Sequence, residues 1–295
     1  MYNSLLYVAT VFIWGASWIG ITYQVGEVLP VHGVLYRYTL AAVILLAFVT
    51  ARRAHVLTRS QHVTAAAMGG LMFGVNYVMV YTAIGMGLTT GLAAVIFSLL
   101  IVMNAINNAI FYREVPTLGL AFAALLGLAG IVTLFADEMT HLSLVAATPL
   151  LLCVLAVYCA SLGNMCSRRL QGEGVAVTTS NAWAMAYAAI GLLIYSAMST
   201  QPFTISWGAE WWASLAVLIV FSTIIAFWAY LTLLGRIGAA RAAYAFVAFP
   251  AVALVISSVW EAFEWTPARM AGAGLILAGN LALLVGQTRR GDKTP

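Results

Sequence analysis

Residues 85–114 read GMGLTTGLAAVIFSLLIVMNAINNAIFYRE, and 150 residues further on, from Gly235 to Glu264, the chain reads GRIGAARAAYAFVAFPAVALVISSVWEAFE. Both stretches begin in a glycine-rich turn and run through a long apolar segment to a glutamate. A proline follows each within three residues, Pro116 and Pro267, and opens another apolar run. Literal identity is confined to Gly85/Gly235, Ala93/Ala243, Val102/Val252, Ile106/Ile256 and Glu114/Glu264. The repeated order of turn, helix, acid, proline and helix carries the reading that the chain contains one unit twice.

The surroundings fit a bilayer. The chain is 63% hydrophobic and 7% charged, with a mean hydropathy of +0.99, whereas a soluble domain carries roughly 25% charged residues. Ten apolar runs can be drawn: 4–23, 31–50, 61–84, 89–111, 117–136, 143–167, 176–198, 210–234, 239–260 and 267–286. Each approximates the span of about 20 residues that a bilayer requires. The runs lack the alternation of barrel strands, and an open sheet cannot cross a membrane, so the expectation is an all-α membrane protein. The net charge of +4 is no argument for a nucleic-acid partner.

Basic residues orient the spans. With the N-terminus in the cytoplasm, the cytoplasmic connectors and tail hold Arg52, Arg53, Arg59, Arg113, Arg168, Arg169, Arg236, Arg241, Arg289, Arg290 and Lys293, eleven of the thirteen Lys and Arg. Of the other two, Arg269 is external and Arg37 lies inside the second span. This asymmetry predicts both termini inside and an even helix count. Five helices per half is odd, so the second half inserts inverted. The expected organisation is a first repeat over 1–138, a second over 139–288 and a cytoplasmic tail, 289–295. Inverted repeats of this kind are characteristic of carriers with a midplane site.

Small residues add detail. Gly70/Gly74 and Gly87/Gly91 have GxxxG spacing, and Gly119, Gly127 and Gly130 recur on the fifth run, which predicts close helix contacts. Pro250, in mid-span, predicts a kink in the ninth helix. Cys153, Cys159 and Cys166 share one helix and match no metal-ligand spacing, which reads as reduced packing residues. The N-terminus has no basic region preceding its apolar run, so a removable signal peptide is not expected.

Four motifs now suggest a relationship. Ile13-Trp14-Gly15-Ala16-Ser17 lies on the first helix and Tyr36-Arg37-Tyr38 early on the second. Tyr112-Arg113-Glu114 followed by Pro116 ends the fourth, and Gly274-Leu275-Ile276-Leu277-Ala278-Gly279 lies on the tenth. In this order the chain resembles the ten-helix, EamA-type members of the drug/metabolite transporter superfamily over essentially its whole length. Within that group its aromatic load resembles an aromatic amino-acid exporter. The resemblance implies helices 1–4 and 6–9 around a central cavity, helices 5 and 10 outside it, and export of amino acids or related metabolites by alternating access across the inner (plasma) membrane. Whether Glu261 or Glu264 matches the family's acid is left open by the sequence.

Candidate substrate contacts follow from placement. Arg37 is the charge well inside a span, and burying it costs about 2.5–3.5 kcal/mol on insertion scales. It reads either as a counter-charge for a substrate carboxylate or as a residue bonded to helix-end carbonyls. Trp14 and Trp18, Tyr77 and Tyr81, and Trp183 and Tyr187 are i, i+4 pairs that share a helix face. Tyr158, Trp228 and Tyr244 lie near mid-span. Interfacial belts and packing compete with a substrate role for these rings. The span amides Asn76 and Asn104 join the candidate set, with helix-to-helix hydrogen bonding as the alternative. Aromatic walls with a few amides suit an amphipathic solute with an apolar side chain.

No metal-ligating HExxH, P-loop or GxGxxG pattern is present, so neither a cofactor nor an enzyme is expected. A membrane-embedded enzyme, a receptor, or an exporter of another metabolite or drug driven by protons are the competing readings. Every carboxylate, namely Glu27, Glu114, Asp137, Glu138, Glu173, Glu210, Glu261, Glu264 and Asp292, falls in a connector or at a helix end. That placement predicts transport without proton coupling.

Overall fold

The computed structural model describes residues 2–52, 56–115, 118–134, 136, 144–237, 245–261 and 264–291. Among these residues ten helical spans occur and no strand. They are α1 (Tyr2–Ser17, extended by a 3-10 turn at Ile19–Gln24), α2 (Pro30–Ala51), α3 (Arg59–Gly85), α4 (Thr90–Tyr112) and α5 (Leu118–Leu134). The second set is α6 (Leu144–Gly172), α7 (Val177–Met198), α8 (209–237), α9 (Ala245–Trp260) and α10 (Pro267–Gly291). Seven of the described spans have at least 18 residues and are apolar enough to cross a bilayer. Bulky apolar side chains such as Leu5, Val43, Leu125, Leu155 and Val259 cover their outer faces. The protein is therefore an all-helical, multi-pass membrane protein.

Local chemistry sets the ends. Proline opens α2 and α10, where its missing N–H is harmless. A capping box of Thr58 and Gln61 starts α3. Glu261, just past α9, accepts hydrogen bonds at its carboxylate from the Thr90 backbone N–H at 3.0 Å and the Thr90 hydroxyl at 2.5 Å. A carboxylate there is favoured by the positive end of α4. Among the described residues the Glu264 side chain accepts no hydrogen bond; its backbone carbonyl takes Arg269 Nη1 at 3.2 Å. Arg113 stops α4 in the left-handed region, at φ 54°.

The packing pattern is unchanged when the halves are exchanged. α2 lies against α7, α4 against α9 and α5 against α10; each of these pairs is its own image. α1 packs on α8 and α9, and its counterpart α6 packs on α3 and α4. A finer match is hidden in α3 and α8. Both pass through π-helical segments, Gly69–Val75 and Leu218–Ile225. The Asn76 backbone N–H donates to Leu71 O, and the Ala226 N–H donates to Phe221 O. Each bond reaches five residues back, and the two lie 150 residues apart, the same offset as the repeated stretch.

Glycine placement differs from the GxxxG reading in part. Gly70 faces open space and a Cβ on Gly74 would meet only its own helix, at Gly69 O, whereas a Cβ on Gly69 would stand 2.1 Å from the Ala184 carbonyl oxygen of α7. Gly91 does meet α9, at Ser257, and Gly130 meets the α10 backbone at Gly272. Pro250 lies inside α9 without breaking it. α9 is continuous from Ala245 to Trp260, and its image α4 is the interrupted helix, at Ser98 and Leu99. Asn280 of α10 donates to Ser98 Oγ at 2.9 Å at that break.

Candidate functional site

A cavity of about 830 Å³ runs into the helical assembly, within the usual range of small-molecule sites, about 300–1,000 Å³. It opens where α4 and α6 finish, beside Glu114, Val115 and Gln171. Its blind end lies at Ile21, Arg37 and Tyr77. All eight core spans contribute, and α5 and α10 add only Leu120 and Leu283 at its edge.

The far end is sealed by polar contacts of the α1–α2 corner and the start of α2 with the 196–211 stretch. Glu27 accepts from Ser206 Oγ at 2.6 Å, Gln24 Nε2 donates to Trp211 O at 2.8 Å, and Tyr36 OH donates to Thr204 O at 2.9 Å. The Thr204 N–H donates to His32 Nδ1 at 3.0 Å, so the ring proton is assigned to Nε2, which donates to Ser196 Oγ at 2.6 Å. Each such bond contributes about 1 kcal/mol net. The structure is thus open at one end and closed at the other.

At the closed end Arg37 is 2% exposed. Its guanidinium lies over the Tyr77 ring at 4.8 Å and donates long bonds to Ser222 Oγ and Thr223 Oγ1, 3.4 and 3.3 Å. Nε has no partner, and among the described residues no carboxylate pairs with Arg37. Ser222 and Thr223 belong to the π segment of α8, and Trp14 Nε1 donates to the Ser222 carbonyl at 3.2 Å. π segments free carbonyls from the helix ladder and recur at functional sites.

Aromatic side chains form the walls. Trp14 meets Tyr230 at 5.2 Å and Phe246 at 5.4 Å, and Trp18 meets Phe97 edge-on at 5.2 Å. The amides divide into two groups. Asn164 Nδ2 and Ser161 Oγ both donate to Asn104 Oδ1, and Asn107 Nδ2 donates to Ser161 Oγ, so these stitch α4 to α6. Asn76 is 1% exposed and its Oδ1 accepts nothing. An unpaired buried polar atom costs about 1–3 kcal/mol.

Of the residues singled out from the sequence, Trp14, Trp18, Arg37, Asn76, Tyr77 and Asn104 line this cavity. Tyr81 does not: it lies one turn beyond Tyr77, fully buried, with its ring against Gly33. Trp183 and Tyr187 pack with His62 instead, Tyr187 OH lying 2.9 Å from His62 Nδ1. Tyr158 and Trp228 are 46% and 58% exposed on the outer surface. Tyr158 sits opposite the Ala160, Asn164, Ser167 and Gln171 stripe of α6. On α8 the extra residue of the π segment moves the inward stripe to Tyr230 and turns Trp228 out. Tyr244 lies outside the described residues. Phe97, Ser222, Tyr230, Phe246 and Phe249 were missed. The i, i+3 pair Phe246 and Phe249 beside Pro250 was the available signal.

The described carboxylates stay at helix ends; Asp137, Glu138 and Asp292 lie outside the described residues. Glu114 stands at the cavity rim, half exposed, in an ion pair with Arg168 at 2.8 Å. Arg168 also covers the Tyr112 ring at 4.1 Å and donates to Asn108 Oδ1 at 2.6 Å. Among the described residues no group of His, Cys, Asp and Glu is arranged to hold a metal ion.

A repeated ten-span bundle around a one-sided cavity defines a membrane carrier of small molecules. Comparison with known proteins gives its family. The EamA-like transporter family profile matches residues 2–136 and again 147–285; the chain belongs to this family. It is similar to the uncharacterized transporter YoaV of Bacillus subtilis (strain 168), 21% identical over 272 residues, 92% of this chain and 93% of that one. A crystal structure with 19% identity superposes with a TM-score of 0.62, covering 96% of this chain and 97% of its own. That likeness concerns the fold.

Proposed function

We propose that the protein exports amino acids with aromatic and other apolar side chains, by alternating access and without proton coupling. The observation that carries this reading is Arg37 at the blind end of an aromatic cavity, with no carboxylate partner among the described residues. A guanidinium there matches a solute carboxylate. The walls of Trp14, Trp18, Phe97 and Phe246 match an apolar side chain, and discriminate poorly among related ones, because a methylene is worth only about 1–3 kcal/mol.

The orientation rests on the basic residues. Arg52, Arg59, Arg113, Arg168 and Arg169 all lie at the open end of the bundle, which the positive-inside rule assigns to the cytoplasm of the inner (plasma) membrane. Both termini then lie inside. Cysteine placed at Gly208 is expected to react with a membrane-impermeant thiol reagent from outside, and cysteine at Gly172 to be protected; the opposite pattern sinks the orientation.

The coupling is tested in proteoliposomes loaded with phenylalanine. Downhill flux is expected to be the same with and without an imposed pH step. Phenylalanine accumulating against its gradient, driven by that step, would overturn the passive reading. Glu114 at the cavity rim would then be the first residue to substitute, followed by Glu27.

A further inference from the structure

The amino-acid reading concerns Arg37 and the aromatic walls; a second buried polar atom makes it more specific. We infer that Asn76 is the specificity-determining residue for the solute's ammonium group, so that the site selects zwitterions over the matching acids and amines. The inference rests on the amino-acid reading above.

Two residues of opposite demand line the same cavity, and each has a buried polar atom without a partner. Arg37 Nε is an unused donor beside a positive charge. Asn76 Oδ1 is an unused acceptor with a partial negative charge. Both residues are at most 2% exposed. They are also close in the fold, because Arg37 lies over the ring of Tyr77, the residue that follows Asn76. A carboxylate needs donors and an ammonium needs acceptors. An α-amino acid carries both on one carbon. A simple carboxylic acid would leave Asn76 unpaired, and a simple amine would bring its charge towards Arg37.

Four other amides of this region are already committed, whereas Asn181 of α7, 6% exposed, also lines the cavity. Asn104, Asn107 and Asn164 bond to one another or to Ser161, and Asn108 accepts from Arg168. They hold α4 on α6 and have less to offer a solute. Asn76 is placed differently, at the exit of the α3 π segment, where its own N–H reaches back to Leu71. Its image in the second repeat is Ala226, at the exit of the equivalent segment. Apolar solute contacts can come from both repeats, but this acceptor comes from one, which gives the bound solute a fixed direction in a pseudo-symmetric site.

Three probes with one side chain test the inference: phenylalanine, 3-phenylpropionate and phenethylamine. Binding to purified protein is measured by competition against labelled phenylalanine, and flux is measured in proteoliposomes. The native protein is expected to prefer phenylalanine to both analogues. Asn76→Leu, close in volume, is expected to weaken phenylalanine about ten- to a hundredfold, the worth of a hydrogen bond to a charged group. It should leave 3-phenylpropionate unchanged, and that probe also reports that the cavity is intact. If Asn76→Leu does not fold, Asn76→Ala serves the same comparison. A variant that keeps the native preference overturns the inference, as does one that weakens both carboxylates equally. Native protein that binds neither carboxylate overturns the amino-acid reading itself, before any variant is made.

Discussion

Gly69→Ala is expected to abolish recovery of folded protein. The added Cβ would stand 2.1 Å from Ala184 O and 3.1 Å from Ala188 N. Both are backbone atoms of α7, so no rotamer change relieves the contact. Ordinary overpacking costs about 1–3 kcal/mol, and here two helix axes must separate. The α3 π segment starts at Gly69, so the shift would spread to Met72, Phe73 and Asn76 along the cavity wall. Gly70→Ala is the control, because nothing lies within 4 Å of its Cβ position. Size-exclusion profiles in detergent should show a monodisperse peak for Gly70→Ala and none for Gly69→Ala. Equal peaks would mean that α3 and α7 are not in this contact.

Arg37→Gln is expected to separate function from stability. The guanidinium is buried on Tyr77 and two hydroxyls, with no carboxylate partner among the described residues. A buried charge so placed carries a desolvation cost that its weak bonds do not offset. Removing it should leave the melting temperature unchanged or raised. Amino-acid flux should fall about a hundredfold, since a charge-assisted bond is worth about 1.5–3 kcal/mol and a guanidinium makes two in its paired form. Arg37→Lys should recover only part of the flux, because an ammonium lacks the planar fork. A variant that melts early and transports normally per folded molecule would make Arg37 a structural residue.

The spans were legible because a bilayer imposes one length and one polarity on every crossing. The ten apolar runs coincide with the helices to within a few residues at most ends. The repeat was legible in its order of elements, although few residues coincide. The site was legible only in part. Spacing i, i+4 identifies residues that share a face, but does not say whether the face points to the cavity, the core or the lipid. Trp14 and Trp18 face the cavity, Trp183 and Tyr187 face His62, and the Tyr77–Tyr81 pair straddles the cavity's end. The π segments add a further difficulty. Each inserts a residue into the helical count, and depth in the span, the basis for singling out Trp228, does not say which side of α8 faces the cavity; Tyr230 does and Trp228 is exposed. The uncommitted acceptor of Asn76 was invisible for another reason: which amide is satisfied depends on neighbours far along the chain.

The exchange-invariant packing also bears on biogenesis. α1 has its helix neighbours in α8 and α9, and Gly15 rests against Val252. α6 in turn leans on α3 and α4, with Gly163 against Met72. Neither five-helix half therefore owns a core, and the repeat boundary divides the sequence without dividing the folding unit. A ribosome that has released the first half has delivered helices whose partners are still unmade, and α1 must wait in the lipid until the last quarter of the chain arrives. Truncation anywhere before α8 leaves the earliest helix unclaimed, so quality control meets an orphaned assembly rather than a shortened carrier.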